Sequence, residues 1–261
     1  MTKRFLIIDG LNLIRRQYAA LEKEADMMRR IERTTAASVD ALNRLLVQFT
    51  PSYAVVVFDS NGQTWRHEAF PAYKLGRVPM DDHLLNAIPA LANAFRFNKV
   101  AALRLDGWEA DDLIATLAQK ASQANVKSFI VSTDKGFTQL LNDPNILQYD
   151  YFAKLGYDSE WVIEKYGVPS HCLGDYWALV GDSTNKIPGV KGIGPKTAVQ
   201  ILQQASTLES IFQNLHVFPP KIQNLLAGNE QQALLSRLLV LLKTDVHIGI
   251  RLSQLRYNPN N

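Results

Sequence analysis

Cysteine is nearly absent: Cys172 stands alone among 261 residues. Neither a disulfide framework nor a cysteine-ligated zinc site can form within one chain, and a reducing, intracellular setting is expected. Long apolar runs are missing too. Residues 5–8 are too few for a signal-peptide core and read as a strand, and the most apolar later stretch, 234–242, is broken by Ser236 and Arg237. No membrane span is expected, and the expected location is cytoplasmic. No sign of charge dominates, since 28 Lys and Arg against 25 Asp and Glu leave +3. A nucleic-acid partner would have to be met by basic groups concentrated locally. Repeats and low-complexity tracts are lacking, and no feature points to a protein partner or to oligomerisation. Apolar residues, at 47%, are enough for a packed core.

Residues 5–8, 54–58 and 128–131 are short, consecutive apolar runs bounded by polar residues. Such runs suit strands buried on both faces; 100–103 and 146–148 are weaker candidates. Amphipathic stretches around 34–49, 84–97 and 110–124 lie between them. This alternation predicts an α/β region over 1–158, with a mostly parallel central sheet flanked by helices. Beyond it the texture becomes helical at 161–166, 172–180, 197–204, 208–214, 221–227 and 231–242, with Gly and Pro between the segments. A helical region over 159–250 and a tail over 251–261 are expected, the last residues, 258–261, frayed.

The acids are the informative feature. Three strand candidates run into Asp9, Asp59 and Asp134, and Glu109-Ala110-Asp111-Asp112 opens an apolar helix. Ligands of an open parallel sheet bind beyond the carboxyl ends of its strands, so these acids would meet at one crevice. Each alone has a structural reading as a turn former or helix cap. Six carboxylates in one cleft, however, would repel one another unless a cation neutralised them. All-oxygen ligands select Mg2+ or Mn2+ over zinc, ions suited to activating water and stabilising charge on a phosphoryl group.

Two other phosphate chemistries fail. Gly189-Val190-Lys191-Gly192-Ile193-Gly194 is followed by Pro195 where a P-loop needs Lys, and Gly192-Ile193-Gly194-Pro195-Lys196-Thr197 misses the dinucleotide fingerprint and follows no strand. The same glycines instead allow a tight turn between two helices. Pro195 suits the first helical turn, whose free N–H groups, with Lys191 and Lys196 alongside, form a phosphate grip that cannot read sequence. The segment from Trp65 to Arg77 mixes basic and aromatic residues without clean periodicity. It follows Asp59 and is either a solvated loop or a surface for phosphates and unpaired bases. The four tryptophans read as packing residues.

Ile8-Asp9-Gly10, Val57-Phe58-Asp59, Tyr73-Lys74-Leu75-Gly76-Arg77, Glu109-Ala110-Asp111-Asp112, Ser132-Thr133-Asp134-Lys135 and Pro188-Gly189-Val190-Lys191-Gly192-Ile193-Gly194 occur in this order along nearly the whole chain. In this the sequence resembles the 5′ nuclease family of flap endonucleases and the 5′-nuclease domain of bacterial DNA polymerase I, closest to the short stand-alone exonuclease IX type. The resemblance implies a PIN-like α/β region with an arch around 66–83, and a helix–hairpin–helix over 173–205. It implies a first Mg2+ (or Mn2+) site from Asp9, Asp59, Glu109 and Asp111 with Asp112 close by, and a weaker second ion facing Asp111, Asp134 and Asp182. Asp9, Asp59, Lys74, Arg77 and Asp111 would be catalytic, Lys74 and Arg77 steering the phosphate and its 5′ strand. Lys191, Gly192, Ile193, Gly194, Pro195, Lys196 and Thr197 would hold duplex phosphates, beside a K+ bound by the backbone of Leu179, Val180, Pro188, Val190 and Ile193. The implied partner is branched DNA with a 5′ single-stranded arm, cut near its junction with the duplex.

Two departures stand out. Gly136 replaces an Asp of the family's second site, and Gly181-Asp182-Ser183-Thr184-Asn185 carries Asn where the family has a second Asp. Two lost charges weaken a dication at short range. A DNA-binding protein with little catalysis is therefore one rival reading, and an RNA nuclease on a similar α/β region is another.

Overall fold

The computed structural model of the protein describes residues 3–258. Six strands, β1 (Arg4–Asp9), β2 (Tyr53–Val57), β3 (Ala101–Leu103), β4 (Lys127–Val131), β5 (Ile146–Asp150) and β6 (Leu155–Tyr157), form one sheet in the order β3-β2-β1-β4-β5-β6. Every pairing is parallel except that of β5 with β6. The chain starts in the middle, builds outward to β3, then crosses β1 to lay down β4. The reversal between β1 and β4 is the point at which an open sheet leaves a crevice at its strand tips.

The helices of this half are α1 (Gly10–Ala20), α2 (Met27–Phe49), α3 (Trp65–Ala69), α4 (Asp82–Phe97) and α5 (Ala110–Gln123). Because side chains alternate along a strand, Leu6, Ile8, Val56 and Val131 pack with residues of α1, α2 and α4 on one face. Phe5, Ile7, Val55, Val57 and Ile130 pack with α5 on the other. This is why β1 and β2 read as unbroken apolar runs: both faces are covered. The sequence reading did not separate α1 from β1. No turn intervenes, and Asp9 ends the strand and caps the helix at once, its side chain accepting from the Asn12 N–H. Asp26 likewise starts α2 earlier than its apolar periodicity suggests, accepting from Met28 and Arg29 N–H. The five residues of α3 are too few to display a period, and β6, antiparallel and three residues long, was not anticipated.

The helical half comprises α6 (Ser159–Tyr166), α7 (Leu173–Val180), α8 (Pro195–Gln204), α9 (Leu208–Gln213), α10 (Pro220–Leu226) and α11 (Glu230–Val240). It has no core of its own. The cluster holding Phe5 and Leu113 runs without a break through Leu173, Ile201 and Ala233 to Leu255. The segment read as a tail is packed as far as Tyr257: Arg256 bridges Tyr53, and the Tyr257 N–H donates to the Ser52 carbonyl at 3.0 Å. Of the end expected to fray, residues 259–261 lie outside the described residues. Among the described residues no helix is long and apolar enough to cross a membrane.

Candidate active site

The crevice lies at the tips of β1, β2 and β4. Asp9 closes β1, where Ser132 Oγ donates to its Oδ2 at 2.9 Å. Asn12 and Thr133 exchange hydrogen bonds beside it, tying the start of α1 to the end of β4. Asp59 follows β2 and accepts from the Ala110 N–H at 2.7 Å, docking the first turn of α5 against the strand tips. Asp134 follows β4 and its Oδ1 accepts from the Gly136 N–H. Asp111 completes the set, lining with Glu109, Asp134, Asp182 and Asn185 a cavity of about 320 Å³.

Their electrostatics follow from crowding. Burial, then the charges of Asp59 and Asp134, push the Asp9 carboxyl up to about 7 despite bonds from Asn12 and Ser132. Asp111 is raised well above the usual carboxylate range by desolvation and by Asp134, Asp9, Asp59 and Glu109. Asp59 is raised by burial, offset in part by its bond to Ala110 and by the charges of Lys74 and Arg77. Among the described residues no three acids, histidines or cysteines already stand at the spacing that encloses a metal ion. The donor chemistry nonetheless fits a hard divalent cation: oxygen-only groups, desolvated, mutually repelling and held by separate strand tips.

Lys74 and Arg77 lie on the segment joining α3 to α4. Lys74 has a left-handed backbone (φ 55°), its N–H donates to the Asn185 carbonyl at 3.0 Å, and its Nζ lies 2.6 Å from Glu109 Oε1. Burial alone would raise Glu109, but Lys74 and Arg66 outweigh it and hold that carboxyl below its ordinary value. Asp182 sits on the opposite wall. Its Oδ1 accepts from the N–H of Thr184 and Asn185, and Asn185 Nδ2 donates to its Oδ2 at 2.7 Å, so Asn185 holds a neighbouring carboxylate in place and adds no charge of its own.

Asp112 corrects the sequence reading. It is fully buried, and all its acceptor capacity is taken: Oδ1 by Arg66 Nη2 and the Lys243 N–H, Oδ2 by Arg66 Nη1 and Trp65 Nε1, at 2.7–2.9 Å. Nothing remains for a cation. Glu109, Asp111, Asp134 and Asp182 thus line the cavity, with Asp9 and Asp59 at the strand tips near enough for their charges to act on Asp111. Not all of the basic, aromatic segment is surface: Lys74 and Arg77 stay at the crevice, but two of its members are buried. Arg66 is 2% exposed and Tyr73 5%, both turned inward. Sequence reasoning missed Arg66, Trp65 and Ser132 as partners of the acids; of these only Ser132, inside a quoted motif at a strand tip, carried any signal.

The glycine turn lies between α7 and α8. Gly181 (φ 80°) and Gly189 (φ 62°) cross so closely that a Cβ on Gly189 would lie 2.4 Å from Gly181 N. This crossing brings 179–180 against 188–190. The Val190 N–H donates to the Leu179 carbonyl at 2.8 Å, and the Ile193 N–H to the Val190 carbonyl at 3.0 Å, leaving each oxygen a second lone pair. Gly194 precedes Pro195, the first residue of α8, without a side-chain cap, so the N–H groups of Lys196 and Thr197 have no partner within their helix. Lys191 and Lys196 are exposed beside them.

A twisted parallel sheet with acids at its tips and a glycine-turned helix pair on the same core define the 5′ nuclease architecture. The chain belongs to the 5′-3′ exonuclease family: the model of its N-terminal resolvase-like domain matches residues 4–167, and that of its C-terminal SAM fold matches 168–261. Among curated relatives, the flap endonuclease Xni of Pectobacterium carotovorum subsp. carotovorum (strain PC1) is 43% identical, over 98% of this chain and 95% of its own. The flap endonuclease Xni of Psychromonas ingrahamii is 41% identical over 100% of this chain and 99% of its own. The fold is similar to that of the T5 D15 protein co-crystallised with metal ions (TM-score 0.81, 20% identity, 93% of this chain and 90% of that one). It is also similar to the bacteriophage T5 D15 flap endonuclease in a pseudo-enzyme–product complex with DNA and metal ions (TM-score 0.77, 22% identity, 93% and 90%).

Proposed function

We propose that this protein is a metal-dependent flap endonuclease, hydrolysing a DNA phosphodiester near the junction between duplex and a 5′ single-stranded arm. The observation that carries this is the desolvated, mutually repelling group of Asp9, Asp59 and Asp111 beside the exposed Asp134, an oxygen-only donor set suited to a divalent cation, on one apolar core with a sequence-blind phosphate grip. Asp9, Asp59, Glu109 and Asp111 would hold the tighter divalent ion, and Asp111, Asp134 and Asp182 a weaker second one. A bound Mg2+ or Mn2+ would supply water activation and charge neutralisation at the phosphoryl group. Lys74 and Arg77 lie close enough to affect Asp59 and so flank the space where the phosphate would sit, Lys74 stabilising developing negative charge. The N–H groups of Lys196 and Thr197, with Lys191 and Lys196, hold duplex backbone without reading bases. The carbonyls of Leu179, Val180, Pro188, Val190 and Ile193 are the candidates for K+.

A 5′-flap duplex incubated with Mg2+ tests the reading, with EDTA and Asp111→Ala as controls. Cutting near the junction by wild type alone is the expected result. The same product from Asp111→Ala, or none from wild type, defeats it. Gly136 and Asn185 keep one rival in view, a structure-specific DNA-binding protein with little catalysis. It would bind the flap tightly while wild type and Asp111→Ala cut alike.

A further inference from the structure

The most densely bonded group beside the crevice is Arg66, to which no role has yet been assigned. A guanidinium has five N–H donors, and here each has an acceptor. Nε donates to the Leu239 carbonyl at 2.9 Å, and Nη1 to Glu109 Oε2 and Asp112 Oδ2 at 2.8 and 2.7 Å. Nη2 donates to Asp112 Oδ1 at 2.8 Å and to the Leu241 carbonyl at 3.1 Å. Three separate elements converge on it: α3, which carries it; α5, which carries Asp112 and follows Glu109; and the chain leaving α11.

The consequence falls on Glu109. Arg66 Nη1 and the Tyr73 hydroxyl, at 3.1 Å, both donate to Oε2. Only Oε1 is left toward the crevice, where Lys74 contacts it. Asp112 determines how much of Arg66 reaches Glu109. By taking both guanidinium prongs it leaves Glu109 a single shared donor, enough to fix its rotamer without consuming its charge. The four groups Arg66, Lys74, Asp112 and Glu109 are neutral together, so a charged cluster can sit inside the fold without an unpaired ion.

We propose that Arg66 is a positioning residue for the reaction. It acts through Glu109 by locking Oε2 and presenting Oε1 as the one oxygen offered to the first divalent cation, while tying the root of the arch to the 239–241 segment. The inference rests on the function proposed above. Lysine at this position keeps the charge but not the fork, and cannot hold Glu109, Asp112 and two carbonyls at once.

The test is calorimetric titration of Mn2+ into metal-free protein, without DNA, for wild type, Arg66→Lys, Glu109→Gln and the double variant, with 5′-flap affinity measured in EDTA alongside. The expected result is metal binding roughly tenfold weaker in Arg66→Lys, as is usual when a group orienting a metal ligand is lost. Flap affinity in EDTA should change less than about twofold, about 0.4 kcal/mol, because Arg66 is buried away from any surface that DNA could reach. Adding Arg66→Lys to Glu109→Gln should produce no further loss, because the effect passes through the residue already changed. Wild-type and Arg66→Lys isotherms that coincide, or losses that simply add, would overturn the positioning role and leave Arg66 as scaffold. If Arg66→Lys does not fold, Tyr73→Phe removes the other donor to Oε2. A smaller weakening of Mn2+ binding supports the idea and an unchanged isotherm rejects it. Failure of the wild type itself to bind Mn2+ would instead strike the proposed function.

Discussion

On the proposed function the crevice and the glycine turn face the same problem, holding a phosphate backbone, with opposite means. The crevice gathers Asp9, Asp59 and Asp111, groups whose ionised forms burial disfavours, beside Asp134. The turn has no acid among residues 186–197; that stretch offers backbone dipoles and three lysines, and its Gly189 crosses Gly181. One region holds carboxylates whose repulsion is relieved by a bound proton or, on the proposed function, by a divalent cation. The other is finished when the chain has folded. On the same reading, unfavourable charge belongs to the part that reacts and pre-set geometry to the part that holds.

The comparison is most exposed to a single change in the crevice. Asp9→Asn should lower flap cutting on the order of 10³-fold, about 4 kcal/mol of barrier. In EDTA it should raise the melting temperature, because one repelling charge is gone. Activity kept within a few-fold of wild type would show the cluster to be structural. Next in size, Gly189→Ala places a methyl against Gly181 N at a left-handed residue and should cost on the order of 3 kcal/mol. That is a fall of roughly 6–12 °C in melting temperature, with weaker binding of duplex and flap alike. A calorimetric scan matching wild type would mean the crossing is not rigid.

The stored charge has a pH signature. Asp9 is raised from 3.8 to about 7 in the folded protein. Across that window the folded state binds more protons than the unfolded one, so this group's contribution is greatest below about 3.8 and is lost as pH rises to 7. Metal-free protein should melt several degrees lower at pH 8 than at pH 5, and saturating Mg2+ should abolish or reverse the difference. Equal melting at both pH values in EDTA would contradict the burial assigned to the acids. The smallest effects belong to the turn's surface. Lys191→Ala and Lys196→Ala should each reduce the slope of log binding constant against log salt by about one without altering Mn2+ affinity. Replacing K+ with Na+ at constant ionic strength should weaken flap binding a few-fold, and identical isotherms would remove potassium from the account.

The sequence made much of this frame visible for identifiable reasons. Buried parallel strands must be continuously apolar, so 5–8, 54–58 and 128–131 announced themselves, and an acid ending each run marked its tip. The glycine turn was legible from Gly189, Gly192 and Gly194, because left-handed residues and close backbone contacts demand glycine; Gly181, which Gly189 crosses, was not read as part of it. What stayed hidden was pairing across distance. Asp111 and Asp112 are neighbours of identical chemistry, yet one lines the cavity and the other is saturated by Arg66, Trp65 and Lys243. No local pattern separates them, since the distinction is made by residues 46 to 131 positions away. Arg66 was misread for the same reason: among basic and aromatic neighbours it resembled a surface cation, and only the tertiary fold supplies the five acceptors that draw it inside.

One apolar cluster runs from β1 to the 252–255 turn, so the glycine turn and the acidic crevice are built on the same core and any swing of one against the other would have to open it. On the proposed function that shared core works as a ruler. A duplex seated at the hairpin would bring one particular linkage over the acids, and the cutting position would be counted by protein dimensions rather than by any base.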